Sequence, residues 1–219
     1  MRLKLFFLSI VFLGLFTLYS YNVAKEKFTQ LDFDTTVKLQ DRLSRSFDPA
    51  FSQLSLLGSA EVTVAFCLLL SFLALIKRRW GAILGWMMIV PASAAEVFGK
   101  LVIYHPGPPV LFHRTTLATH LPSFYIHTEF SYPSGHMTRT IFITTILFCM
   151  VLFSKSNILL KAIGLALLAL VTFLMAISRV YLGEHWSTDV IGGGLLGIGF
   201  GLLGYVLIFK AKKLYHALA

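Results

Sequence analysis

The stretch Val190–Phe209, VIGGGLLGIGFGLLGYVLIF, runs for twenty residues without a single charge. A helix needs about 20 mainly apolar residues to cross the hydrocarbon core of a bilayer. A helix on the surface of a soluble domain carries a charged or polar stripe, and this run has none, so it reads as a membrane span. Similar runs precede it: Leu5–Ala24, Val62–Ile76, Trp80–Ala95, Thr140–Ser154 and Ala162–Ser178. Leu5–Ala24 reaches spanning length unaided. The four between reach it only by taking in a flanking charge or histidine, which at that depth is costly unless paired or functional. The expected fold is all-α: a polytopic six-transmembrane-helix bundle, one domain over residues 1–219.

Composition agrees, with 57% hydrophobic and 13% charged residues, against about 25% charged in ordinary soluble domains. The charges also fix an orientation. With the N-terminus in the cytoplasm, the inner segments hold Arg2, Lys4, Lys77, Arg78, Arg79, Lys155, Lys161, Lys210, Lys212 and Lys213, ten of the 19 basic residues, and no acidic one. The ten acidic residues, from Glu26 to Asp189, fall outside or near the outer boundary. That bias is the topology determinant, and it puts both termini in the cytoplasm. The net charge of +9 is then mostly a cytoplasmic anchor set facing anionic headgroups, and needs no nucleic-acid partner. Leu5–Ala24 is longer than a secretory signal core and ends in no clear small-x-small cleavage site, so it reads as a retained helix. Cys67 and Cys149 fall inside spans and read as buried apolar thiols.

Two long connections lie outside. Lys25 to about Ser59 mixes charges with scattered apolar residues, as an interfacial amphipathic segment does. The second, about Val102 to Tyr132, carries Pro106, Pro108, Pro109 and Pro122, which disfavour a helix. In the last span Gly193, Gly197 and Gly201 recur every four residues, a ridge on which a second helix can pack closely.

Polar residues interrupt the apolar pattern in three places, all at the outer face. The first is Lys100, one turn beyond Glu96. The second is Pro133-Ser134-Gly135-His136, opening the fourth span, with Arg139 one turn in. The third is Ser178-Arg179 with His185 and Asp189. His185 and Asp189 at i, i+4 share a helix face, so the carboxylate can fix the imidazole tautomer and leave the other nitrogen to attack. His136 is a second imidazole suited to general-acid work. Lys100 and Arg179 suit phosphate oxygens, and Ser134 and Gly135 stand where a helix begins and free N–H groups meet an anion. Such a set supplies the positioning and charge stabilisation of phosphoryl transfer without a metal.

These motifs resemble those of the type 2 phosphatidic acid phosphatase superfamily, whose signatures are K-x6-R-P, P-S-G-H and S-R-x5-H-x3-D. Residues 133–136 carry the second in full, and Ser178-Arg179, His185 and Asp189 the third at the family's spacing. The first is partial: Lys100 and Pro108 are in register, but Gly107 stands in the arginine's place, with Arg114, Arg139 and His105 as candidate substitutes. The six-span layout is similar to the family's integral membrane branch. The resemblance implies His185 as nucleophile forming a phosphohistidine, Asp189 as its orienter and His136 as acid. It also implies Lys100, Ser134, Gly135 and Arg179 on the phosphate, with no cofactor.

The activity so implied is metal-independent hydrolysis of a lipid phosphate or diphosphate at the outer face of a plasma (inner) membrane. Phosphatidate, phosphatidylglycerol phosphate and polyprenyl diphosphate are all candidates. A lipid phosphotransferase would use the same residues, and a non-enzymatic lipid-phosphate-binding protein is a third reading. Blander roles are expected elsewhere. Glu96 and Lys100, at i, i+4, form a structural pair. Arg139 is as well explained by snorkelling to the interface. His105, His113, His120 and His127 are too irregularly spaced for a metal site.

Overall fold

The computed structural model describes residues 1–116, 128 and 130–215, with side chains as far as 209. His120, Pro122, His127, Glu129 and the side chains of Lys210, Lys212 and Lys213 lie outside that description. Among the described residues there are nine α-helices: α1 (Arg2–Ala24), α2 (Thr29–Arg42), α3 (Asp48–Leu56), α4 (Ala60–Ile76), α5 (Trp80–Met87), α6 (Ile89–Val102), α7 (Gly135–Leu152), α8 (Ile158–Tyr181) and α9 (Ser187–Tyr215). They supply six stretches long and apolar enough to cross a membrane. The all-α, six-span expectation is met.

The third span is broken between α5 and α6, and Pro91 explains the break. Proline has no N–H and its ring meets the carbonyl four residues back, which here is that of Met87, the last residue of α5. The interfacial segment is two helices rather than one, α2 and α3, separated by a short 3₁₀ turn at Arg45–Phe47. The proline-containing connection forms no α-helix over residues 103–116, only the 3₁₀ turn Val110–Phe112.

The centre of the bundle is α7 against α9, with α1 and α5 on the other flanks of α9. The glycine ridge makes this possible. A Cβ at Gly193 would strike the carbonyl oxygen of Ser134, at Gly197 that of Thr138 (2.6 Å), and at Gly201 the Cβ of Thr145 (2.7 Å). Below the site, Trp86, Phe142, Ile146, Leu202 and Tyr205 close an apolar core together with the buried free thiols Cys67 and Cys149. The lower ends of α1 and α9 are tied by Arg2, whose Nη2 donates to the Phe209 carbonyl at 2.6 Å. Ser20, near the upper end of α1, meets the Tyr132 hydroxyl at 2.9 Å.

Helix direction then sorts the polar residues. Lys77, Arg78 and Arg79 join α4 to α5, and Lys155 lies between α7 and α8 at that same end. The end of α6 and the starts of α7 and α9 gather at the opposite end.

Candidate active site

The site is assembled from helix termini. Ser134 caps α7: its hydroxyl accepts from the Met137 N–H at 3.5 Å and keeps its own proton to donate. The Ser134 N–H is already committed to the Asp189 carbonyl (3.0 Å), which locks the first turn of α7 to that of α9. The N–H groups of Gly135 and His136 are the ones left for an anion. Gly135 has no room for a side chain, because a Cβ there would lie 2.6 Å from Glu96 Oε1 and 2.8 Å from Arg139 Nη1.

The turn from α8 into α9 depends on Gly183, at φ +67, packed on the Phe112 carbonyl. It carries the chain from Arg179 to His185 in six residues. Trp186 opens α9, since its carbonyl accepts from Val190, and indole offers no acceptor for capping. Two carboxylates do the capping. Asp189 Oδ2 reaches back to the Trp186 N–H (3.0 Å), as the third residue of a capping box does. Asp32, from α2, accepts from the Thr188 N–H (2.9 Å) and from the hydroxyls of Thr188 (2.7 Å) and Ser187 (2.6 Å).

The same Asp189 Oδ2 lies 3.1 Å from Nδ1 of His185; the two do not share a helix face as expected, because His185 precedes α9 and the carboxylate reaches back over the helix start. Asp189 is fully buried. The charges of Arg179, Arg139 and Lys100 all bear on the His136 imidazole, whose Nε2 is also 3.5 Å from Ser55 Oγ on α3.

Each cation is held by a carboxylate. Glu96 takes Lys100 at 2.6 Å and Arg139 at 3.1 Å, and Glu184 takes Arg179 at 2.5 Å. The Glu96–Lys100 pair matches the expectation. Arg139 is only 8% exposed and pairs inward, so it does not snorkel. Glu61 is a further carboxylate whose charge bears on Arg139. Arg179 Nη2 and Arg139 Nε, both buried, have no hydrogen-bond partner among the described residues. Buried donors of this kind are normally satisfied, and an anion with several oxygens fits them.

Arg114 is placed elsewhere. Its guanidinium donates to the carbonyls of Gln40 (3.2 Å) and Leu43 (3.4 Å) and lies over the Tyr181 ring, fastening the external loop to the end of α2. His105 is buried beside Asp189 and Asp32. Asp32 carries no motif, and only its placement reveals it.

An apolar groove of about 750 Å³ adjoins the site. It is walled by α1, α7, α8 and α9, from Met137, Ala176 and Val190 beside the site residues down to Leu5, Leu152 and Phe153.

A family model for the PAP2 superfamily matches residues 80–213, and the chain belongs to that superfamily. It is an integral membrane protein with the superfamily's second and third signatures intact. Its fold is similar to the crystal structure of a transmembrane PAP2-type phosphatidylglycerolphosphate phosphatase from Bacillus subtilis, at 17% identity and TM-score 0.66, covering 96% of this chain and 97% of that one. It is also similar to Aquifex aeolicus LpxE, at 24% identity and TM-score 0.56, covering 80% of this chain and 94% of that one. At these identities the likeness is one of fold. No curated protein matches the chain by sequence.

Proposed function

We propose that this chain, acting as one membrane-embedded domain, hydrolyses a phosphate monoester or diphosphate on a membrane lipid through a phosphohistidine on His185. The observation that carries the reading is the convergence of the His185–Asp189 pair, His136 and three buried or half-buried cations at one end of the bundle. With Asp189 accepting from Nδ1, Nε2 of His185 bears the lone pair that attacks phosphorus. The P–O bond to the lipid breaks as His136 gives its proton to the departing oxygen. In the second half His136 takes a proton from water, water attacks the phosphohistidine, and inorganic phosphate leaves. Lys100, Arg139, Arg179 and the first-turn N–H groups of α7, with the Ser134 hydroxyl, hold the phosphoryl oxygens throughout. The balancing charges are side chains, so the reading includes no metal.

The groove beside the site supports an amphiphilic substrate whose tail stays in the bilayer. Lys77, Arg78, Arg79 and Lys155 at the end opposite the site favour termini in the cytoplasm and a site on the outer face of a plasma (inner) membrane.

The test is phosphate release in detergent micelles containing EDTA, from phosphatidate, phosphatidylglycerol phosphate and a polyprenyl diphosphate, comparing wild type with His185→Ala and Asp189→Asn. Release is expected to vanish in the first and to fall by about 10³–10⁴, as when a carboxylate that sets an imidazole tautomer is amidated, in the second. A fully active His185→Ala sinks the mechanism. A phosphorylated acceptor lipid in place of free phosphate reassigns the chain as a phosphotransferase, and a folded wild type inert on every substrate and acceptor leaves it a binding protein.

A further inference from the structure

Asp189 has two carboxylate oxygens, and the proposed reaction uses one of them. Oδ2 serves His185 and the Trp186 N–H. Oδ1 is buried with no hydrogen bond among the described residues, and Nε2 of His105 lies 3.4 Å from it. His105 is itself buried. From α9 it faces Thr188 Oγ1 (3.0 Å) and Asp189, from α2 it faces Asp32 Oδ2 (3.7 Å), and from the loop before α7 it meets the edge of the Tyr132 ring. Burial holds the Tyr132 phenol above its ordinary range, so that ring is a neutral neighbour.

A proton inventory fixes the direction of these contacts. Thr188 has one hydroxyl hydrogen, and Asp32 Oδ2, at 2.7 Å, can only accept it while ionised. The hydroxyl therefore accepts from His105, and Nε2 of His105 carries a hydrogen. That hydrogen lies near both Thr188 Oγ1 and Asp189 Oδ1, so its positive edge faces an oxygen that has no hydrogen bond among the described residues. Asp32, 1% exposed, holds the whole arrangement by capping the first turn of α9 from a different helix. A buried carboxylate is costly unless hydrogen-bonded, and three donors from one turn meet that need only when α9 is in register.

We propose that His105 and Asp32 are positioning residues for the His185–Asp189 pair: His105 steadies the second oxygen of Asp189, and Asp32 fixes the helix turn that carries it. Neither touches the phosphoryl group. The proposal rests on the reading of His185 as nucleophile and adds the outer partners that aim it, as outer partners aim metal-binding imidazoles.

The experiment compares wild type, His105→Phe, His105→Gln and Asp32→Asn in detergent with EDTA. One readout is the rate at which diethyl pyrocarbonate modifies His185, followed by peptide mass spectrometry. The other is kcat and KM for p-nitrophenyl phosphate. His105→Phe keeps ring volume and loses the N–H, and is expected to slow His185 modification and lower kcat about tenfold, the lower end of what losing an orienting partner costs, with KM within about twofold. His105→Gln, whose amide restores an N–H, is expected to recover both rates to within about threefold. Asp32→Asn is expected to lower kcat in the same way. Wild-type modification of His185 in His105→Phe overturns the proposal, as does equal loss in the Phe and Gln variants. If wild type hydrolyses nothing, the phosphatase reading fails, while the modification rates still decide whether His105 aims His185.

Discussion

Glu184 lies against the buried guanidinium of Arg179, with Oε2 2.5 Å from Nη1, while its other oxygen accepts from Thr115 at 2.6 Å. Glu184 is the solvent-side member of the pair, at 26% side-chain exposure against 0% for Arg179. A phosphate that binds Arg179 must therefore share the guanidinium with a carboxylate already there. Neutralising that carboxylate leaves more of the guanidinium's charge to the phosphate. Glu184→Gln is expected to tighten inhibition by orthovanadate by a few-fold. Unchanged or weaker inhibition would mean that Glu184 only holds Arg179 in place.

Arg139 and Arg114 separate the two ways of replacing the arginine missing at Gly107. Arg139 shares Glu96 with Lys100, whereas Arg114 is spent on the Gln40 and Leu43 carbonyls. Arg139→Ala is expected to raise KM or lower kcat at least tenfold, about 1.4 kcal/mol. Arg114→Ala is expected to lower the melting temperature in detergent and leave KM for a small phosphate ester unchanged. The reverse pattern, with Arg114→Ala the kinetic variant, would give the role to Arg114.

His136 sits among cations and against Ser55, where it can meet a leaving oxygen. A general acid matters in proportion to how poor the leaving group is, and contributes about 10²–10⁴-fold when it matters. His136→Ala is expected to lose activity in that range on an alkyl phosphate and far less on p-nitrophenyl phosphate. Equal losses on both esters would assign His136 to phosphate binding.

The spans were legible because charge is so unfavourable in hydrocarbon that twenty uncharged residues leave few alternatives, and the break at Pro91 was visible in principle for the same local reason. His185 and Asp189 were legible because they stand four residues apart, although the contact closes across the start of α9, with His185 two residues before the helix. Asp32 was not. It meets Thr188 across 156 positions, and the uneven periodicity of residues 25–59 does not say which face of α2 turns inward. Arg114 poses the opposite problem. Its nearness to Gly107 in sequence made it a candidate cation, but the loop between them turns it toward α2 and Tyr181. Arg139 was ambiguous because one arginine a turn inside a span looks the same whether it reaches out to headgroups or in to Glu96.

The groove between α7 and α8 bears on which lipids fit. It runs beside α7 from Met137 to Leu152, fifteen steps of about 1.5 Å, or about 22 Å. Half of a roughly 30 Å hydrocarbon core is only about 15 Å, so the groove can follow a chain past the bilayer midplane. Ala169 on α8 lines it and is exposed within it, so a larger side chain there fills the groove without disturbing packed neighbours. Ala169→Phe is expected to raise KM several-fold for a long-chain lipid phosphate and to leave hydrolysis of a short-chain or water-soluble phosphate unchanged. The increase should grow with chain length, because only longer tails reach the obstruction. A uniform effect on all substrates would place the tail against another face of the bundle, and the groove would then be a seat for ordinary bilayer lipid.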